Sequence, residues 1–135
     1  MGIIGYRIEK IEAKSGNKIE GEIKIASSLP KIEKIEEKKL NIGGVETNIL
    51  GIKFSYNVNY EPIKGKIGIS GELLYTTEDT KEITENWKKD KKLDKKIALP
   101  ILNYILKKCV MQSIKIAEDL QLPPPIKLPE FTVKN

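Results

Sequence analysis

The chain has 135 residues, enough for one domain with a buried core, and its 39% apolar and 32% charged residues are typical of a globular protein. It contains no histidine, which excludes a histidine general base, a histidine-containing triad and histidine metal ligands. No apolar run approaches the length of about 20 residues that a membrane helix needs. Cys109 is the only cysteine, so no internal disulfide can form, and a cytoplasmic location is expected. We therefore expect one domain over residues 1–135 that is not an enzyme and has no metal, cofactor or membrane-inserted segment.

The net charge of +5 is concentrated in one part of the chain. Between Lys81 and Lys108 there are nine lysines and four acidic residues, which accounts for the whole excess. Only Arg7 is an arginine, the side chain that most often recognises phosphates and bases, so nucleic acid is the less favoured partner. The abundance of Lys, Glu and Ile is typical of heat-loving organisms. Binding of single-stranded nucleic acid would use Lys88, Lys89, Lys91, Lys92 and the tyrosines, as an alternative function.

The N-terminal part of the chain alternates apolar and polar residues, which predicts half-buried strands. The apolar positions change parity between Ile8 and Ile11, so we expect a β-bulge near Glu9 and Lys10. A second strand is predicted over Lys18–Ser27, with Ile19, Ile23 and Ile25 facing inward. The segment Lys31–Leu40 is ambiguous between a strand and a short helix.

The clearest strands form a long hairpin. The run Asn48–Tyr60 alternates strictly, and Lys66–Thr76 follows after a turn at Glu61–Gly65, where proline and glycine favour chain reversal. Aromatic residues that share a face with Ile52 and Val58 are expected in the core. Together with the earlier segments, this predicts a four-stranded antiparallel β-meander. The inward set of the first run is Leu50, Ile52, Phe54, Tyr56, Val58 and Tyr60.

After Thr76 the period becomes helical. Thr77 is a plausible N-cap for a short helix, Glu78–Lys88, and a long helix is predicted over Lys95–Gln121. One stripe of the long helix runs through Ile97, Ile101, Ile105, Cys109, Gln112, Ile116 and Leu120. Further apolar residues lie outside that stripe, and a helix that is apolar over most of its circumference must be covered on more than one side. We therefore expect a homo-oligomer. Its interface residues are predicted to be Leu102, Leu106, Val110, Met111 and Ile114.

The segment Leu122–Val133 has four prolines in seven residues, which favours an extended polyproline conformation. Its apolar residues indicate that it lies against protein. Two interpretations stay open and are compatible: a strap that covers the core or a neighbouring subunit, and a groove that binds client polypeptides.

The order of these elements resembles the fold of the SecB export chaperones. The local resemblance covers about Pro100 to Phe131, where a long helix ends in the crossover Leu122-Pro-Pro-Pro-Ile-Lys-Leu-Pro-Glu-Phe131. The chain is also similar to a set of small archaeal proteins, some described as SecB-like, that carry Leu-Gln-Leu-Pro-Pro-Pro after a Tyr-Glu-Pro hairpin, here Tyr60-Glu61-Pro62. The resemblance implies an α+β domain that assembles into a tetramer, with a dimer as the alternative, and holds unfolded or nascent polypeptides in apolar grooves.

We therefore expect an ATP-independent holding chaperone or a related protein-interaction module. A structural subunit with one fixed protein partner is a further alternative. The residues predicted to contact clients are Leu74 on the outer face of the sheet and Leu122, Pro124, Ile126, Leu128 and Phe131 in the crossover.

Overall fold

The structure is a computed structural model that describes residues 2–17, 21–27 and 29–126. These residues form an antiparallel sheet followed by two helices, which confirms the α+β class. The strands are β1 (Gly2–Lys14), β2 (Lys24–Ser27), β3 (Lys31–Ile42), β4 (Val45–Glu61) and β5 (Gly65–Thr76), and the helices are α1 (Thr80–Asp90) and α2 (Lys95–Asp119).

The sheet has the order β1-β5-β4, with β2 and β3 both pairing with β4 along the same side. Ser27 pairs with Val58 and Lys31 pairs with Ser55, so β2 and β3 are two pieces of one interrupted edge strand. The structure therefore has five strands, whereas four were predicted from the sequence. The ambiguous segment Lys31–Leu40 is a strand, and β2 is much shorter than the predicted Lys18–Ser27. A β-meander holds for β3, β4 and β5, whereas β1 crosses over to pair with β5.

The β4–β5 hairpin has the predicted register and core. Val58 pairs with Ile67 and Ile52 with Leu73, so the alternate apolar side chains of both strands share one face, and they are almost fully buried. The turn differs in detail from the expectation. Lys64, not Gly65, adopts the left-handed conformation, with φ 61°.

The first strand carries the predicted bulge. Ile8 pairs with Gly71 and Lys10 with Ser70, so Glu9 is the extra residue, and a second irregularity follows Ile3. The bulges keep Ile3, Tyr6, Ile8, Ile11 and Ala13 on the face that carries the core, as their partners on β5 show. The C-terminal end of β1 is nevertheless exposed, and so is Ile25 of β2, which was expected to be buried. Ile19 lies outside the described residues.

Both predicted helices are present with shifted ends. The first begins after Asp79 instead of Thr77, and the cap residue makes no side-chain hydrogen bond to the helix. The second begins at Lys95 as predicted and ends two residues early, and the carboxylate of its N-cap Asp94 accepts a 3.1 Å hydrogen bond from the Lys96 amide. Within the described residues, neither helix is long and apolar enough to cross a membrane.

The buried side of α2 is a single row of residues spaced four apart. After Cys109 the observed row continues to Ser113 and Ala117. The predicted stripe instead continued to Gln112 and Ile116, which are only half-buried. The Ser113 hydroxyl donates a 2.8 Å hydrogen bond to the Val110 carbonyl, so the helix itself satisfies this buried polar group. The row consists of Ile101, Ile105, Cys109, Ser113 and Ala117.

Candidate functional site

The end of α2 shows how the C-terminal segment is attached to the domain. Gln121 adopts the left-handed conformation at φ 57°. Its amide donates to the Glu118 carbonyl at 3.1 Å, and the Leu122 amide donates to the Ala117 carbonyl at 2.8 Å. This pair of bonds is a Schellman motif, in which the residue after the left-handed position packs back on the helix. The motif therefore directs Leu122 into the core, where only 6% of it is exposed.

The following residues continue across the core face of the sheet. The Tyr60 hydroxyl donates a 2.8 Å hydrogen bond to the Pro123 carbonyl, and Pro124 is half-buried. Ile126, by contrast, is 40% exposed. Residues 122–124 thus act as a strap on their own subunit, which is one of the two interpretations that the sequence left open. The predicted client contacts Leu128 and Phe131 lie outside the described residues.

Leu74 lies on the opposite, outer face of the sheet. It lines a groove of about 350 Å³, together with Leu40 and Ile49. Ile49 is almost fully buried although its strand position, opposite Lys38 of β3, places it on the outer face. Leu40 is exposed, and so are the neighbouring apolar residues of the β3–β4 hairpin, Ile42 and Val45. We call these five residues, Leu40, Ile42, Val45, Ile49 and Leu74, the outer apolar patch.

Charged residues form one wall of this groove. The Lys38 ammonium lies 2.7 Å from Glu72 Oε2, and the Glu72 side chain is only 8% exposed. Lys53 approaches the same oxygen at 3.8 Å and pairs with Glu9 at 2.8 Å. The Lys53 ammonium holds the pKa of the Glu9 carboxyl below its usual value. Gly51 lies beneath this network, since a Cβ there would be 2.9 Å from Lys38 Cε. The outer face therefore changes from apolar at the hairpin end to a paired charge network towards its middle.

The predicted client-binding residues are not brought together. Leu74 lies beside Gly51 of β4, whereas Pro123 is bound to Tyr60 of the same strand. Nine strand residues at about 3.3 Å each separate these positions by about 30 Å. The two regions also lie on opposite faces of the sheet, so one extended client segment cannot contact both directly.

The predicted interface residues of α2 divide into two groups. Four of them form a row spaced four apart, about 100° around the helix from the buried row. Within that row Leu106 and Val110 pack partly against the core, and all four side chains are half-buried. Met111 lies on the far side of the helix from the buried row and is 63% exposed. Their role in oligomer contacts stays a prediction. We call the row Leu102, Leu106, Val110 and Ile114 the α2 flank.

The aromatic residues considered for nucleic-acid stacking are in the core. Phe54, Tyr56, Tyr60 and Tyr75 are each at most 6% exposed, so they offer no platform on which bases could stack. The lysines of the α1–α2 corner are exposed. The prediction that these tyrosines and lysines form one nucleic-acid surface is therefore wrong, because the two sets do not share a surface.

The single cysteine is also enclosed by the fold. Cys109 is fully buried, and its Sγ lies 3.8 Å from the Tyr6 hydroxyl. Burial raises the pKa of the Cys109 thiol, which disfavours the reactive thiolate. Tyr6 in turn stacks on Phe54 at 5.4 Å between ring centroids and meets Tyr104 edge-on at 5.6 Å. This cluster joins β1, β4 and α2 as packing.

Comparisons with known proteins give a single likeness. No family model matches the chain, and no curated protein matches it. Among solved structures, it is similar to a SecB-like chaperone of Mycobacterium tuberculosis in complex with a ChAD peptide from an antitoxin. The sequence identity is 12% and the TM-score 0.48, over 98% of this chain and 91% of that one.

Proposed function

We propose that this protein is a non-catalytic, ATP-independent holding chaperone of the cytoplasm that binds unfolded or nascent polypeptides through the outer apolar patch. The observation that carries the proposal is the location of this patch. The core face of the sheet is covered by α2 and the C-terminal strap, whereas the outer face presents Leu40, Ile42 and Val45 exposed beside the groove around Leu74. Contiguous exposed apolar surface of this kind is typical of a protein-binding site.

The properties of the groove favour the binding of many different sequences over the recognition of one. Its floor is apolar, and burial of a client's apolar side chains contributes about 25 cal/mol for each Å² removed from water, whatever their order. The carboxylate of Glu72 is already paired with Lys38, so it needs no charged partner on the client. Apolar contacts have no preferred direction, and the Glu72 carboxylate beside them is already paired. This combination supports weak binding of many different sequences.

The α2 flank supports assembly. Its four side chains adjoin the buried row yet stay half-exposed in the single subunit, which is typical of a helix that packs on a second copy. We propose a tetramer, with a dimer as the alternative, in which the flank is the contact between subunits. Client binding and assembly would then use different surfaces, the outer face of the sheet and the flank of the helix.

The test measures how well the variants Leu74→Ser and Leu40→Ser suppress the aggregation of an unfolded model protein. Full burial of a leucine contributes about 1.5–3 kcal/mol, so we expect each variant to hold clients about 10-fold more weakly or worse. Leu29→Ser is the matched control, since Leu29 is 79% exposed but lies in the β2–β3 connection, away from the patch. Circular dichroism and native mass establish that each variant keeps its fold and assembly.

Full holding activity in both patch variants would contradict the proposed site, and the absence of activity in the unsubstituted protein would contradict the function. A single stoichiometric partner recovered in place of many clients would favour the structural-subunit alternative.

A further inference from the structure

A second cleft, of about 400 Å³, lies between β3 and α1. Four consecutive residues of β3, Lys34 to Glu37, line one side of it, and the α1 end contributes Trp87, Lys88 and Lys91. Successive side chains of a strand point to opposite faces of the sheet. A cleft that is lined by four in a row must therefore run along the strand's edge. Within the described residues β3 pairs only with β4, so this edge has unpaired backbone groups.

The charges on the two sides of the cleft differ. On the strand side, Glu36 pairs with Lys34 at 2.8 Å, and this ammonium lowers the pKa of the Glu36 carboxyl. Glu37 accepts a 2.5 Å hydrogen bond from the Thr80 hydroxyl. On the helix side, Lys88 and Lys91 are exposed and form no ion pair with any described residue. The helical wall therefore carries two lysines that pair with no described carboxylate.

Trp87 adds an unsatisfied donor. The indole is 8% exposed, and its Nε1 has no acceptor among the described residues. Lys91 adopts the left-handed conformation at the end of α1, with φ 56°, and its ammonium lies 5.6 Å from the centre of the indole ring. Buried N–H groups without an acceptor are rare in folded proteins. The indole therefore lines the cleft beside Lys91, with a donor that no described residue accepts.

We propose that the cleft binds an acidic polypeptide segment in extended conformation, which pairs with the free edge of β3 and places its carboxylates against Lys88 and Lys91. Strand addition supplies backbone hydrogen bonds, and alternate side chains of the added strand reach the cleft. The side chains on this wall are lysines, and the only tryptophan is covered, so bases find neither arginine nor an open aromatic face. A peptide backbone can complete the β3 edge, whereas a nucleic acid cannot.

The probe is a blocked peptide of about ten residues that alternates Glu and Val, the length of a strand that would follow β3. Calorimetry measures its affinity, and the fluorescence of Trp87, the only tryptophan, reports whether it occupies the cleft. We expect Lys88→Glu/Lys91→Glu to weaken binding by about 10-fold or more, since both attractions become repulsions. Lys107→Glu/Lys115→Glu makes the same charge change on exposed positions of α2 and should alter the affinity by less than about 2-fold.

Two further probes test the geometry and the class of partner. A peptide with N-methyl groups on successive amides keeps its carboxylates but has no N–H to donate along either edge, so it should bind about 10-fold more weakly or worse. A single-stranded oligonucleotide should bind more weakly than the acidic peptide. The proposal is overturned by equal losses in the two charge-reversal variants, by binding without a change at Trp87, by full binding of the methylated peptide, or by tighter binding of the oligonucleotide. Because Leu74→Ser leaves this cleft unchanged, failure here is distinguishable from failure of the holding site.

Discussion

The role of the C-terminal strap can be tested by Leu122→Ala. Leu122 is 6% exposed and is held in the core by its amide hydrogen bond to Ala117. Truncation of a buried leucine removes transfer free energy and leaves a cavity, at a typical cost of 2–5 kcal/mol. The segment lies at the end of the chain and can partly collapse into the space, so we expect a loss of about 2–3 kcal/mol. That would be a large part of the roughly 5–15 kcal/mol that stabilises a domain.

The measurement is urea unfolding at one fixed protein concentration, because the proposed assembly would make the apparent stability depend on concentration. Ile126→Ala is the control, since Ile126 belongs to the same segment but is 40% exposed, and it should cost less than about 1 kcal/mol. Holding activity should be retained in both variants at temperatures where they are folded. If Leu122→Ala had unchanged stability but lost client binding, the segment would be a client site, and its description as a strap would be refuted.

Three other expectations follow from single contacts. Gln121→Gly should raise stability by about 0.5–1 kcal/mol in a thermal melt, since the φ of 57° suits glycine. Burial raises the pKa of the Tyr6 phenol, so this group ionises in the unfolded chain before it ionises in the folded protein. The stability of the fold therefore falls as the pH rises above about 10. The variant Tyr6→Phe should unfold at a higher pH when unfolding is followed by circular dichroism. Lys38→Met removes the closest partner of the nearly buried Glu72 and should cost about 1–3 kcal/mol in urea unfolding.

The sequence was most informative where periodicity and burial coincide. The β4–β5 hairpin was predictable because alternate residues from Leu50 to Tyr60 are apolar, and each is buried. The bulge at Glu9 was predictable because the apolar parity changes there, and the pairing of Ile8 and Lys10 with β5 shows that shift. In both places one side of a strand faces the core, so a slip in register would expose the apolar side chains of that side to water.

Other features depend on contacts that no local pattern contains. The buried row of α2 ends in Ser113 and Ala117, small residues whose burial depends on how closely the helix approaches the sheet. Helical spacing of three residues from Cys109 instead led the predicted stripe through Gln112 to Ile116. The gap between Ser27 and Lys31 agrees with the predicted segment ends, but the pairing of both segments with β4 was not predicted, because β2 pairs through only four residues, too few to show an alternating pattern.

The location of the proposed functional surface was the least predictable feature, and the reason is geometric. From the sequence, the apolar crossover looked as available to a client as Leu74, because both are short apolar segments in polar surroundings. The fold separates them: the Schellman turn at Gln121 directs Leu122 into the core, whereas the alternation of β5 places Leu74 on the outer face. Since α2 and the strap already cover the core face, the proposed client contacts are on the outer face of the sheet, and the proposed contacts with a second subunit are on the α2 flank. Loss of holding activity in Leu74→Ser with assembly intact is the result that this separation requires.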